Sequence, residues 1–415
     1  MNILMLTPYL PYPPSSGGQI RSYNLIKNLS QKHRITLCSL IKGEDERRYI
    51  DELEKFCEKV FVFKRASRPW TLKNILMTAF SAFPFLVIRN YSAAEKKEIA
   101  NLLSKEDFDI IHAETFYVSP HIPKTDIPMV LVDQTIEYQV YLHFVDNFKP
   151  FILRPLLLLD VLKIKFWEGY YWKRASQVIA VSERDANEMK KIDSLLKPEV
   201  IPNGVGEEFM VNVPMHFSKR ILFMGNYAWL QNIEAVNILA KKVYPKIKKE
   251  LPDVELVIAG QNTDKITHLI SDGITIHDLK IDDTQGVIDW YHRSGVLVAP
   301  LYGPGGTRLK ILAAMAAKLP VVTTEIGIEG IDAKNREAVL FSNSPDTLVE
   351  LTVELLKDKK LYQKIASNGR KLVEQNYTYP RIADKLSKVY KETLKFRDYK
   401  ETLKSKDYEK LGQKS

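Results

Sequence analysis

The sequence predicts an α/β protein of two domains, each a doubly wound parallel sheet with helices on both faces. Three observations carry this. The chain has 415 residues, more than one ordinary domain and enough for two. Short β-branched runs alternate with amphipathic stretches from the first residues, which is the rhythm of a mostly parallel sheet. That rhythm lapses in IPNGVGEEFMVNVPM, residues 201–215, and then restarts.

Taken in order, residues 3–7 read as a strand, 19–30 as a helix and 34–40 as a strand. Further strands are expected at 60–63, 110–113, 129–132 and 177–181. After the lapse come a strand at 220–224, a long helix at 232–251, and strands at 254–259, 295–300 and 320–323. The lapse divides the chain into a first domain over 1–203 and a second that begins at 204, ahead of a charged tail over 393–415. The tail carries the near-repeat ETLKFRDY and ETLKSKDY, which reads as a solvated or frayed helix without chemistry.

A hydrophobic fraction of 45% and a charged fraction of 27% suit a globular protein with sizeable cores. The two cysteines, Cys38 and Cys57, lack CxxC spacing, which excludes a disulfide framework or thiolate zinc site and suits the cytoplasm. The opening MNILMLTPYLPYPP has no basic segment and no long apolar core, so it reads as a buried strand rather than a signal. Arg154, Pro155, Asp160, Lys163 and Lys165 interrupt the richest apolar stretch, so a spanning helix is not expected. A net charge of +9 favours anionic partners. No nucleic-acid-binding motif accompanies that charge, so nucleic acid is not among the partners expected. Eight histidines lie without HxH or HExxH spacing, and no metal is expected.

Two glycine-rich turns could cradle phosphate. In PYPPSSGGQIRSYNLIKNL, Gly17 and Gly18 precede a helix, where free amides and the helix dipole favour an anion; the same pair also serves as a plain turn. In APLYGPGGTRLKILAAMAAKLPVVTT, a strand leads into Gly303, Pro304, Gly305 and Gly306, Thr307 reads as the N-cap, and Arg308 and Lys310 fall in the first helical turn. Cations there oppose the dipole, a penalty that a bound phosphate reverses.

At these residues the chain resembles the retaining glycosyltransferases of the GT-B fold, family 4 (glycosyl transferases group 1). The likeness runs from TPYLPYPPSSGGQIRSYNLIKNL through DIIHAETF, VIAVSERDA, IPNGV, FMGNYAWLQNIEA and LVIAG to GGTRLKILAAMAAKLPVVTTEIGIEGI, the most specific block. It implies two Rossmann-like domains facing across a cleft, the first binding a glycan or lipid-linked acceptor and the second a UDP- or GDP-type sugar. The second domain would then span 204–375, and a final helix over 376–392, which opens NYTYPRIADKLSKVY, would cross back onto the first domain. Carried over by position, Gly17, Gly18, Gly225, Asn226, Gly305, Gly306, Thr307, Arg308 and Lys310 would face the donor. Ala313 stands where the family closes the ribose with a carboxylate, and Gly305 where it has a second acid. That departure admits two functions, a transferase or a relative that binds without turning over.

Transfer with retention would need no protein nucleophile, and Arg308 and Lys310 would neutralise the leaving diphosphate. His112 ends a predicted strand at the ligand side of the sheet, where it either contacts sugar or acceptor, with Glu114 as its base or orienter, or is structural. Past Asp133, Gln134 offers hydrogen bonds and Glu137 is the nearer acid. Glu325 and Glu329 either approach the sugar or are solvated loop acids. Asn232 reads as the N-cap of the helix that begins IEAV, with Trp229 in the loop before it. Residues 64–91 and 149–174 are basic, aromatic and apolar, and form either surface helices on an anionic membrane or amphipathic core helices.

Overall fold

The computed structural model describes residues 1–211, 217–281, 283–303 and 307–412, with side chains through Lys395. Two wholly parallel sheets form the frame. The first has seven strands, β1 (Asn2–Thr7), β2 (Arg34–Ile41), β3 (Lys59–Lys64), β4 (Ile110–Glu114), β5 (Met129–Asp133), β6 (Gln177–Ala180) and β7 (Glu199–Val200), in the order β3-β2-β1-β4-β5-β6-β7. The second has six, β8 (Arg220–Asn226), β9 (Glu255–Gln261), β10 (Ile274–Asp278), β11 (Val296–Ala299), β12 (Val321–Thr323) and β13 (Leu340–Phe341), in the order β10-β9-β8-β11-β12-β13.

Strand parity splits the first domain's core into two. Ile3, Met5 and Ile110 point to one face, and Leu4, Leu6, Ile111 and Ala113 to the other, because successive side chains of a strand alternate. Helices cover both faces, so the central strand β4 is buried along its whole length. The long helix Tyr379–Gly412 belongs to the first face. Tyr379, Ile382, Ala383, Leu386, Val389 and Tyr390 form its apolar stripe at helical spacing and pack beside Ile3 and Met5. The chain thus returns to the first domain after completing the second, and its helix runs on through the near-repeat.

Three strands escape the sequence reading. β7 and β13 are two residues long, and β10 reads ITIHD at a sheet edge, where Thr275, His277 and Asp278 leave only the two isoleucines apolar. The helix expected at 232–251 is three consecutive pieces, Leu230–Ile238, a wide π turn Leu239–Val243 and Tyr244–Glu250. Pro245, which lacks an N–H, sits at the start of the last piece and accounts for the widened turn.

In each sheet the strand order reverses direction once, between β1 and β4 and between β8 and β11. Ligands of doubly wound sheets lie beyond the carboxyl ends of the strands at such reversals. Here the two reversals open on the same cleft, a cavity of about 1750 Å³ lined by both domains.

Candidate active site

On the second-domain wall, β11 leads to the helix Leu309–Ala316. Arg308, not Thr307, occupies its cap position, with φ −84° and ψ 100°. The expected Thr307 cap is corrected because its hydroxyl is used elsewhere: it donates to the Val181 carbonyl at 2.8 Å, while Asn203 donates its side-chain amide to the Thr307 carbonyl at 3.2 Å. Thr307 therefore stitches the segment before Leu309–Ala316 to the first domain. Gly330, at φ +75°, must be glycine, since a Cβ there would meet the Thr307 hydroxyl. Gly305 and Gly306 lie outside the described residues.

Arg308 is 9% exposed, donates to the Gly303 carbonyl at 2.6 Å and keeps its Nε buried without a partner. Burial pulls its pKa down to about 10, against Glu329 and Asp185, so it stays charged at neutral pH. Lys310 donates to the Asn232 side-chain oxygen at 2.7 Å and lies 4.4 Å from the centre of the Phe223 ring. Burial, helped by Arg308, pulls the Lys310 pKa down to about 7. Among the described residues neither cation has a carboxylate within ion-pair distance. Two desolvated cations that line the cleft, with no described carboxylate within ion-pair distance, have the chemistry to hold an anion.

Asn232 is not the helix cap expected. The helix begins at Leu230, and Asn232 instead donates to the Asn226 carbonyl at 2.8 Å while accepting from Lys310. Asn226 is itself consumed by its turn, donating to Gln261 at 2.9 Å and accepting from Ala228 at 2.9 Å and Asn262 at 2.8 Å. Gly225 and Asn226 line the cleft, as do Trp229 and Ala313. Gly260, the end of the LVIAG block, was not among the expected site residues; its φ of +139° and contact with the Gly225 carbonyl admit only glycine and let β8 and β9 close at the cleft floor.

Facing this wall, the helix Gly17–Leu29 begins at the glycines themselves, with Ser16 as its side-chain cap. Gly17 and Gly18 thus occupy the first turn and line the cavity. A Cβ on Gly18 would overlap the Tyr9 hydroxyl, and one on Gly17 would lie 3.6 Å from Leu309 of the other domain. The amides of one domain therefore approach the basic corner of the other.

Behind the first wall runs a buried polar chain. His112 bonds Glu114 at 2.9 Å through Nε2 and the Tyr390 hydroxyl at 2.6 Å through Nδ1. Gln134 donates to Glu114 at 2.6 Å, and Arg21 lies 3.9 Å from the same carboxylate. His112 and Glu114 are fully buried and do not line the cleft, which corrects the expectation that they meet sugar or acceptor. Parity is the reason: His112 shares the face of Ile110, under the returning helix. Burial raises the Glu114 pKa, but His112, Arg21 and Gln134 more than offset this and hold the carboxyl below its usual range.

Gln134 and Glu137 do line the cleft. Burial pushes the Glu137 carboxyl up to about 7, against Arg89 and Thr135, so it changes charge near neutral pH. Asp133 is fully buried, accepting from Phe116 N at 2.9 Å and from the Trp172 indole. Glu325 is a correction: it is exposed, outside the cavity, and held by Asn343 at 2.8 Å, because the turn after β12 carries it to the surface. Glu329 pairs with Arg184 of the first domain. Tyr9, Arg89, Thr115, Tyr117 and Gln261 also line the cleft, and none was among the expected site residues, although Tyr9 and Thr115 lie inside the TPYLPYPP and DIIHAETF blocks. A His143–Glu234 pair at 3.0 Å spans the two domains beside them.

Among the described residues no three His, Cys, Asp or Glu side chains converge as metal ligands. No described helix is long and apolar enough to cross a membrane.

The family described as Glycosyltransferase Family 4 matches residues 15–209, and Glycosyl transferases group 1 matches residues 218–358. An uncharacterized 44.6 kDa protein in the cps region of Klebsiella pneumoniae is 22% identical over 405 residues, spanning 94% of this chain and 99% of that protein. Sucrose-phosphate synthase from Thermosynechococcus elongatus superposes with a TM-score of 0.69 at 14% identity, over 94% of this chain and 98% of that one. Anabaena HepE, crystallised with UDP and glucose, gives 0.63 at 14% identity, over 94% and 100%. Two facing parallel sheets, a returning helix and a matched family in each domain identify the chain as a glycosyltransferase of the GT-B fold and the family 4 type.

Proposed function

We propose that the chain moves a hexosyl group from a UDP- or GDP-type sugar to a hydroxyl of a glycan or lipid-linked acceptor, with retention of anomeric configuration and without a metal or cofactor. It would work in the cytoplasm, at the inner face of the membrane. The observation that carries this reading is the pair Arg308 and Lys310, desolvated and without an acidic partner among the described residues, across the cleft from the first turn of Gly17–Leu29. The similar fold of HepE has been crystallised with UDP-glucose, which supports that donor class.

In this mechanism the bond between the sugar's anomeric carbon and the diphosphate breaks, and negative charge grows on the departing oxygen. Lys310 is already held by Asn232 and Phe223, and Arg308 by Gly303, so the cations stabilise that charge without reorganising. The acceptor hydroxyl attacks from the same face and hands its proton to the leaving diphosphate.

One observation favours a second function, a binder that does not turn over. Ala313 presents a methyl group to the cleft, with no oxygen to accept from ribose hydroxyls. Calorimetry with UDP and GDP, paired with release of nucleoside diphosphate from their sugars, separates the two. Ala313→Glu is expected to tighten donor binding by about tenfold to a hundredfold. Saturable donor binding with no release from either form would establish the binder and end the transferase reading.

A further inference from the structure

The helix Arg154–Arg174 is apolar on two opposite sides. Val161, Ile164 and Trp172 face the core, while Leu156, Leu159, Leu162 and Phe166 are 57–66% exposed. A helix apolar all round ordinarily has cover on every side. Beside it lies the helix Leu72–Phe80, with Ile75 47% and Phe80 88% exposed. The two are fixed to each other: Lys163 donates to the carbonyls of Thr78 at 2.6 Å and Ser81 at 2.8 Å, and the Trp167 indole to Ala82 at 2.9 Å. Their apolar groove is thus rigid, and it is continuous with the cleft, since Ile75, Leu159, Leu162 and Phe166 line the same cavity as Lys310.

Where the groove meets the cleft stands Arg89, at the end of the helix Phe85–Asn90. Its Nε is buried without a partner, and so is that of Arg65 beside it. Among the described residues no carboxylate lies within ion-pair distance of either; Glu137 is the acid that faces Arg89. Asp160 also lines the groove, but its carboxylate accepts from Phe85 N at 2.9 Å. Arg65 is held by the Asn90 side-chain oxygen, so Arg89 is the guanidinium that the channel reaches, and an apolar channel that ends in a cation without a carboxylate partner matches a hydrocarbon chain that ends in phosphate.

We propose that this groove takes the chain of a long-chain lipid phosphate, that Arg89 binds its phosphate, and that the acceptor sugar it carries is thereby delivered to the donor loop. This rests on the sugar-transfer reading and narrows its acceptor to one chemical class. Groove and donor corner share one cavity, so a lipid phosphate seated at Arg89 places whatever it carries between the two domains.

Trp70 and Trp167 line the groove and report its occupancy by their fluorescence. The full-length protein is titrated with dodecyl phosphate below its micelle concentration, with dodecanol, with inorganic phosphate and with vesicles of anionic phospholipid. Dodecyl phosphate is expected to bind at least about tenfold more tightly than dodecanol or phosphate alone. Arg89→Gln should erase the preference over dodecanol, and Leu159→Asp should weaken both chains, each leaving UDP or GDP calorimetry unchanged as proof of an intact fold. Equal binding of dodecanol and dodecyl phosphate, or an undiminished preference in Arg89→Gln, overturns the proposal. So do vesicles binding without any response to dodecyl phosphate, which marks a flat membrane face. A lipid-phosphate preference without nucleotide binding would instead sink the donor reading and leave this groove standing.

Discussion

The two walls of the cleft solve different problems. The second-domain wall is a closed corner: Arg308 and Lys310 rise from a continuous core, each pinned by a neighbour, with no carboxylate within ion-pair distance among the described residues. The first-domain wall is layered. A buried chain of Tyr390, His112, Glu114 and Gln134 stiffens it from behind, while its outer helices leave apolar side chains in the open. A small invariant anion suits the first design, because desolvated cations act strongly at one fixed place. A larger, partly apolar ligand suits the second, since hydrophobic contact is non-directional and scales with area.

The sharpest way to break this contrast is at the basic corner. Arg308→Ala is expected to lower kcat by about a hundredfold to a thousandfold, read as release of nucleoside diphosphate from a sugar nucleotide, with little change in thermal midpoint. An unchanged rate would mean that the corner carries no transition-state charge.

Behind the other wall the expected effect is on stability. Glu114→Ala leaves Arg21 without its acid and His112 without its acceptor, and should cost about 3 kcal/mol in urea unfolding while nucleotide affinity holds. A stability equal to that of the parent would show that the buried chain is not structural.

A smaller effect separates the two cations by pH. With the cleft empty, the Lys310 pKa lies at about 7, and a bound diphosphate favours the charged amine and raises it. Donor binding therefore takes up a proton, and affinity is greatest below about 7 and falls as pH rises, by at most about tenfold per unit. Arg308, at about 10, stays charged across that range. Calorimetry in buffers of different ionisation enthalpy reads the proton uptake, and Lys310→Met should flatten the slope. A slope that survives the substitution would assign the proton to another group.

Much of the frame was legible because burial on two faces writes itself as short β-branched runs. β1, β2, β4 and β5 appear within a residue or so of their expected ends, and the returning helix shows its stripe from Tyr379 to Tyr390. β10 stayed hidden because an edge strand needs no apolar face on both sides. At the site, glycine-rich turns and paired cations were visible as local sequence. Thr307 and Asn232 were misplaced as caps, since capping and long-range hydrogen bonding, across the domains for Thr307 and within the second domain for Asn232, use the same short polar side chains.

Composition and periodicity alone determined two parallel-sheet domains and a basic glycine loop between strand and helix, and the family likeness added the final helix. Those features depend on near neighbours and on which residues must leave water. Tertiary structure decided that His112 turns under the returning helix and away from the cleft, that Thr307 ties the domains together, and that Arg89 stands at the head of an apolar groove. Each of these depends on which face of an element meets another part of the chain, sometimes hundreds of residues away, and local pattern holds no record of that meeting.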